Sequence, residues 1–209
     1  MTEIHQFVPS YVPRDAIGSH TRHAQAVLAE LTGRPSRIYV GEARGVRPGE
    51  VHPYRSFDGG RHQGTLLLYQ LSTGSPLAGF LAQRPEPKLV DYHNVTPSGF
   101  FAGWEPAVSV GLEAGRRQVG ELADGCLLGL ADSAYNQAEL VELGYGRTAV
   151  APIMIDPERA DPDRRVTARL ASAKSRGGSE WLFVGRIAPN KCQHDLVKAL
   201  AVYRRLYDP

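Results

Sequence analysis

Three short stretches carry residue types that could do chemistry. The first is Asp15-Ala16-Ile17-Gly18-Ser19-His20, where an apolar run gives way to a helical pattern. A glycine at such a step lets a phosphate or sugar approach the backbone, and the free N–H groups at a helix start suit an anion. A plain strand-to-helix turn uses the same residues, and the stretch is not a GxGxxG dinucleotide fingerprint. The second is Asp91-Tyr92-His93-Asn94-Val95-Thr96-Pro97, at the end of an apolar run. Open α/β sheets bind ligands at the carboxyl ends of their strands. There His93, Asn94 and Thr96 could hydrogen-bond a sugar or stabilise a developing charge. A strand-ending turn before proline has the same composition. The third runs from Phe183-Val184-Gly185-Arg186 to Pro189-Asn190-Lys191. Two cations around a proline turn suit a diphosphate, Arg186 as a fork and Lys191 as a point charge. Two solvated surface cations are the other reading.

The remaining chemistry-bearing residues read as structural. Trp104 and the Phe100–Phe101 pair read as helix core, Arg116 and Arg117 as a solvated helix face, and Cys126 as inert strand core. Cys192 has no cysteine or ligand cluster beside it, so no metal site is read. No Ser/His/Asp triad and no paired carboxylates stand out.

The elements that must position these residues alternate. Short apolar runs at 4–8, 36–40, 64–71, 88–92, 126–131 and 149–153 read as strands, with Pro9 and Pro13 ending the first. Apolar residues three and four apart over 17–31 predict a helix stopped by Gly33. Residues 76–83 and a stretch from Ser133 to Leu143 predict two more, the second capped by Ser133 and ended by Gly144. Residues 98–123 read as one helix broken or kinked at Pro106. Residues 41–61 read mostly as loop, with a brief extended piece at 52–54. Strand–helix alternation of this kind predicts α/β architecture, a doubly wound parallel sheet of Rossmann-like form, over residues 1–155. After Ile155 the composition turns to Asp, Pro, Arg, Ser and Gly, so 156–178 reads as a linker or an exposed amphipathic piece. Residues 179–209 then supply one further strand, at 181–185, and one helix, at 194–207.

The bulk composition fits this. The chain has 209 residues, 42% hydrophobic and 22% charged, with a formal charge of +2. Such a balance excludes a mainly disordered, collagen-like or disulfide-scaffold chain and offers no electrostatic case for nucleic acid. Two separated cysteines argue for a reducing compartment. No run reaches the roughly 18 apolar residues of a membrane span, and the N-terminus lacks a signal pattern. A cytoplasmic protein is expected, with at most peripheral membrane contact.

The stretch from Phe183-Val184-Gly185-Arg186 through Pro189-Asn190-Lys191, followed by Asp195-Leu196 and Ala199, resembles the opening of the donor-binding domain of GT-B retaining glycosyltransferases of the family 4 type. In that family the Arg and Lys of this motif hold the diphosphate of a nucleotide-sugar, which implies that role for Arg186 and Lys191. The family usually has glycine after the lysine, where this chain has Cys192, so the form of the turn is open. Gly18 matches the glycine of the family's first strand–helix loop and His93 the histidine that touches the donor sugar. Ala131-Asp132-Ser133 fits its acceptor-domain pattern. The resemblance implies a glycosyltransferase, Gly18, Arg186 and Lys191 holding the donor diphosphate and His93 as the catalytic-site histidine. It implies a nucleotide-sugar donor, a sugar, lipid or small-molecule acceptor, and neither metal nor cofactor. The family's second domain carries a nucleotide pocket and an acidic pair that do not precede Pro209. Residues 179–209 are therefore expected to be the first strand–helix unit of a truncated donor domain, and the chain by itself is expected not to turn over. The rival expectation is a non-catalytic acceptor-binding module that works with a separate donor-binding subunit.

Overall fold

The computed structural model describes residues 2–59, 64–155, 163–175 and 181–207. The chain divides into two compact units, residues 1–155 and 156–209.

The first unit is α/β and Rossmann-like. Its strands are β1 (Glu3–Tyr11), β2 (Ile38–Ala43), β3 (His52–Pro53), β4 (Thr65–Leu71), β5 (Lys88–Tyr92), β6 (Cys126–Ala131) and β7 (Thr148–Val150). They form one seven-stranded sheet in the order β3-β2-β1-β4-β5-β6-β7, and every pairing is parallel. The chain winds outward from β1 to β3, then returns to the other side of β1 and winds outward again. The strand order therefore reverses between β1 and β4, and crevices for ligands open at the carboxyl ends of strands at such a point.

Flanking the sheet are α1 (Ala16–Thr32), α2 (Pro76–Ala82), α3 (Pro106–Glu121) and α4 (Ala134–Glu142). Their starts follow local chemistry. Asp15, Ser75 and Ser133 each accept a backbone N–H of the first turn, satisfying donors that a helix end leaves orphaned. Gly33 ends α1 with φ 63. The core is a layer of Phe7, Leu67, Tyr69, Leu71, Val90 and Tyr92 from the central strands, closed by Leu77, Leu81, Val119 and Leu140 from the helices.

Several sequence expectations change. β1 does not stop at Pro9 but continues to Tyr11. It pairs with β4 only as far as Phe7, so the missing N–H of Pro9 removes no bond on that side. Pro106 does not break a helix; it stands at the first turn of α3, where proline needs no N–H partner. Residues 98–105 before it are a 3-10 turn and loop, and Phe100 and Trp104 are 47% and 77% exposed rather than helix core. Arg116 is partly exposed but is also tied into the fold. It donates to the Val95 carbonyl at 2.6 Å and pairs with Glu139, tying the loop after β5 to α4. Cys126 is only partly buried, and burial raises its thiol above the ordinary value.

His5, at the start of β1, is buried, and its Nδ1 accepts the Arg37 N–H at 3.2 Å. Burial chiefly, then the charge of Arg37, pushes its pKa below the ordinary value, against the pull of Glu3. The unfolded chain therefore takes this proton more readily than the native one. The stability His5 contributes is whole above about pH 6.5 and is lost as pH falls through that value toward the lower native one. Urea unfolding of the wild type and of His5→Gln at about pH 7.5 and about pH 5 checks this. The wild type should lose more stability on acidification than the variant, and equal losses would count against it.

In the second unit, α5 (Arg164–Ser175) occupies much of the stretch read as linker, with its described side chains exposed. The apolar run at 181–185 is not a strand; none of the seven strands includes it. A strand exists only through a paired neighbour, however apolar its sequence. The helix expected at 194–207 is α6 (Gln193–Tyr207), with Asp195 in its first turn and Arg204 and Arg205 in its last, in the sense that complements a helix dipole. Among the described residues no helix is long and apolar enough to cross a membrane.

Candidate functional site

The carboxyl edge of the sheet holds a cleft of about 520 Å³. Pro9 and Ser10 of β1, Gly41 and Glu42 of β2, Tyr54 and Arg55 beyond β3, and Thr73–Ser75 beyond β4 line it. It lies where the strand order reverses. A carboxylate, hydroxyls, a guanidinium and an aromatic ring converge there, a lining suited to a polar, hydroxyl-bearing ligand. The loop beyond β4 is held against α3. Gly74 and Gly115 meet backbone to backbone, a Cβ on Gly115 falling 2.6 Å from the Gly74 nitrogen. The Ser75 N–H donates to Gln118 at 2.9 Å.

Gly18 lies in the first turn of α1 on the same edge. Its N–H donates to the Asp15 carboxylate at 2.6 Å, so that donor is already engaged. A Cβ on Gly18 would fall 1.9 Å from the Val12 carbonyl oxygen. Only glycine lets α1 start this close to the loop that feeds it.

His93 follows β5 by one residue. Its N–H donates to the Leu71 carbonyl at 2.9 Å, and the Asp132 N–H to the Tyr92 carbonyl at 3.4 Å. These bonds extend the sheet and bring the His93 and Asp132 side chains together. The His93 ring is wholly enclosed. Its Nδ1 lies 2.9 Å from Asp132 Oδ1 and its Nε2 2.5 Å from Gln70 Oε1. In this arrangement neither ring nitrogen is free for a ligand. Asn94 beside it has φ 64, an uncommon conformation for a residue with a side chain, of the kind that collects at functional sites. Its Nδ2 donates to Asn136 at 3.0 Å.

The sequence reading included His20 and Asp91 in its candidate stretches without giving them a role, and it missed Gln70 and Gln6. His20 Nε2 lies 2.9 Å from Asp91 Oδ2, and the rings of His20 and His93 meet edge to face with centroids 5.1 Å apart. The available signal was polarity. Gln6, Gln70 and Asp91 interrupt apolar strands, and a polar side chain inside a two-sided buried sheet must find a partner.

His20, Asp91 and His93 place one potential metal-ligand atom each within 4.8 Å of one another. Hydrogen-bond polarity argues against a metal there. His20 Nδ1 accepts the Met154 N–H at 3.0 Å. In a neutral ring that puts the hydrogen on Nε2, the atom facing Asp91, and a metal needs a lone pair at that nitrogen. Metal-bound histidines show the reverse pattern, donating their other N–H to an acceptor. The cluster is a hydrogen-bonded network, with His20 donating to Asp91.

Arg186 and Lys191 belong to the second unit, and both are exposed. The Arg186 carbonyl accepts from Gln193 at 2.5 Å. Pro189–Lys191 form a 3-10 turn that ends at Cys192 with φ 49. The turn thus takes, with cysteine, the left-handed form that glycine adopts without strain.

No family model matches this chain, and no curated protein matches it.

Proposed function

We propose that this chain belongs to a retaining glycosyltransferase of the GT-B type and that its first unit binds the acceptor. The observation that carries this reading is the polar cleft at the carboxyl edge, where the strand order reverses. The donor would be a nucleotide-sugar whose leaving group departs as a diphosphate. Arg186 and Lys191 would stabilise that charge. His93 would orient the donor sugar. A sugar hydroxyl oxygen accepts as Gln70 Oε1 does, so it can replace Gln70 as the partner of His93 Nε2. The reading needs neither metal nor cofactor, and a cytoplasmic enzyme fits a nucleotide-sugar donor.

A second reading, a non-catalytic acceptor-binding module, is favoured by the enclosure of the His93 ring. Amide shift mapping on this chain with a panel of sugars, polyols and their phosphates tests the shared part. Ser10, Gly41 and Thr73 should move with the bound ligand, and shifts confined to other surfaces would overturn both readings. Transfer assays with a panel of nucleotide-sugars, run on a form of the protein that continues past Pro209, then separate them. Transfer that drops at least about tenfold in Arg186→Ala or Lys191→Ala supports the enzyme, since one lost charge-stabilising donor commonly costs that much or more. Acceptor binding without transfer supports the module.

A further inference from the structure

The first unit contains a chain of side chains whose hydrogen-bond directions are fixed from one end. Gln6 and Gln70 are both wholly buried, on β1 and β4. Gln6 Nε2 lies 2.9 Å from the Thr21 backbone carbonyl oxygen. That oxygen can only accept, so Gln6 donates to it, which turns Gln6 Oε1 toward Gln70. Gln70 Nε2 donates to Gln6 Oε1 at 2.9 Å. Gln70 Oε1 is thereby turned to His93 Nε2 at 2.5 Å, and it too can only accept. At the other side of the ring, Asp132 Oδ1 faces Nδ1 at 2.9 Å, and a carboxylate only accepts. Both ring nitrogens of His93 face acceptors.

We propose that Gln6 and Gln70 are positioning residues that, together with Asp132, hold His93 as a double donor with a hydrogen on each ring nitrogen. This follows from hydrogen-bond polarity alone. The surroundings agree with it. Asp91 Oδ2 lies 3.8 Å from His93 Nε2, so two carboxylates, Asp91 on β5 and Asp132 after β6, flank one ring. His20 on α1, whose ring meets that of His93, receives the Met154 N–H on Nδ1 and donates from Nε2, which is the neutral form. One imidazolium and one neutral imidazole pack edge to face.

The arrangement selects a chemical class of ligand. A group that displaces Gln70 from His93 Nε2 must present an oxygen that accepts: a hydroxyl, a carbonyl or a phosphoryl oxygen. It then receives a charge-assisted bond, roughly twice as strong as a neutral one. An ammonium in that place, which has no lone pair, would meet a donor and be rejected.

Long-range proton–nitrogen correlation spectra of the 15N-labelled chain test this directly, with exposed His194 as the internal reference. At about pH 7 both His93 nitrogens should read as N–H. A lone-pair nitrogen on His93 would overturn the proposal. Asp132→Asn puts an amide donor within reach of Nδ1, and Gln6→Met frees Gln70 to turn its NH₂ toward Nε2. Each should leave one ring nitrogen with a lone pair. Retention of both hydrogens in Asp132→Asn, whose side chain lies near the surface and which should fold, would overturn the role given to the surrounding acceptors. A folded Gln6→Met that also retains both would do the same for the relay.

Discussion

Gly18→Ala should lower the unfolding free energy by about 3 kcal/mol, the upper end of what forced overpacking costs. The expectation runs against helix propensity, which favours alanine over glycine by about 1 kcal/mol inside a helix. The added methyl would sit 1.9 Å from the Val12 carbonyl oxygen and 2.7 Å from its carbon. Those atoms are backbone, so no rotamer change relieves the contact. The start of α1 has to move, and His20 moves with it, away from Asp91 and the Met154 N–H. Urea unfolding gives the magnitude, and the His20 ring signals report the displacement. A variant as stable as the wild type would show that the loop at Val12 gives way at little cost.

The second large effect is a contrast inside one helix. Gly115→Ala in α3 should cost about 2 to 3 kcal/mol and weaken any ligand of the cleft. Gly111→Ala, one turn earlier, should raise stability by up to about 1 kcal/mol. A Cβ on Gly115 lies 2.6 Å from the Gly74 nitrogen and 3.1 Å from its Cα, whereas one on Gly111 meets nothing within 4 Å. The same substitution thus changes sign over four residues because the Gly74 loop touches α3 at Gly115. Melting curves for the two variants decide it. Equal effects would mean that α3 and the cleft loop separate easily.

The elements that could be read directly are those whose local pattern and tertiary setting agree. Lys88–Tyr92 and Cys126–Ala131 are strands with the bounds their apolar runs suggest, and Ser133 caps α4 as its position implies. Where a long-range partner decides, the sequence is silent. The run at 181–185 is as apolar as a strand but lacks the paired backbone that makes one. Pro9 reads as a stop, yet β1 passes through it because β4 no longer needs its N–H. The candidate site divides in the same way. His93 and Gly18 stand out by type and by place beside an element boundary. The partners that hold His93 come from 23 and 39 residues away, and His20 reaches Asp91 across 71. Such contacts leave only one trace, polar residues where an apolar strand is expected.

The central place of β1 bears on how the molecule is made. Both neighbours of β1 in the sheet, β2 and β4, follow it in the chain, with Glu3 pairing Thr65 and Phe7 pairing Tyr69. Gln6 can meet Ile38 of β2 first, but the β4 side of β1 stays unpaired until more than sixty further residues have been synthesised. At about 5 to 20 residues per second that is a delay of several seconds. Closure of such distant parallel pairs is slow. Refolding of the first unit from denaturant should accordingly be slow for its length, and its interval of greatest exposure to aggregation falls before β4 arrives.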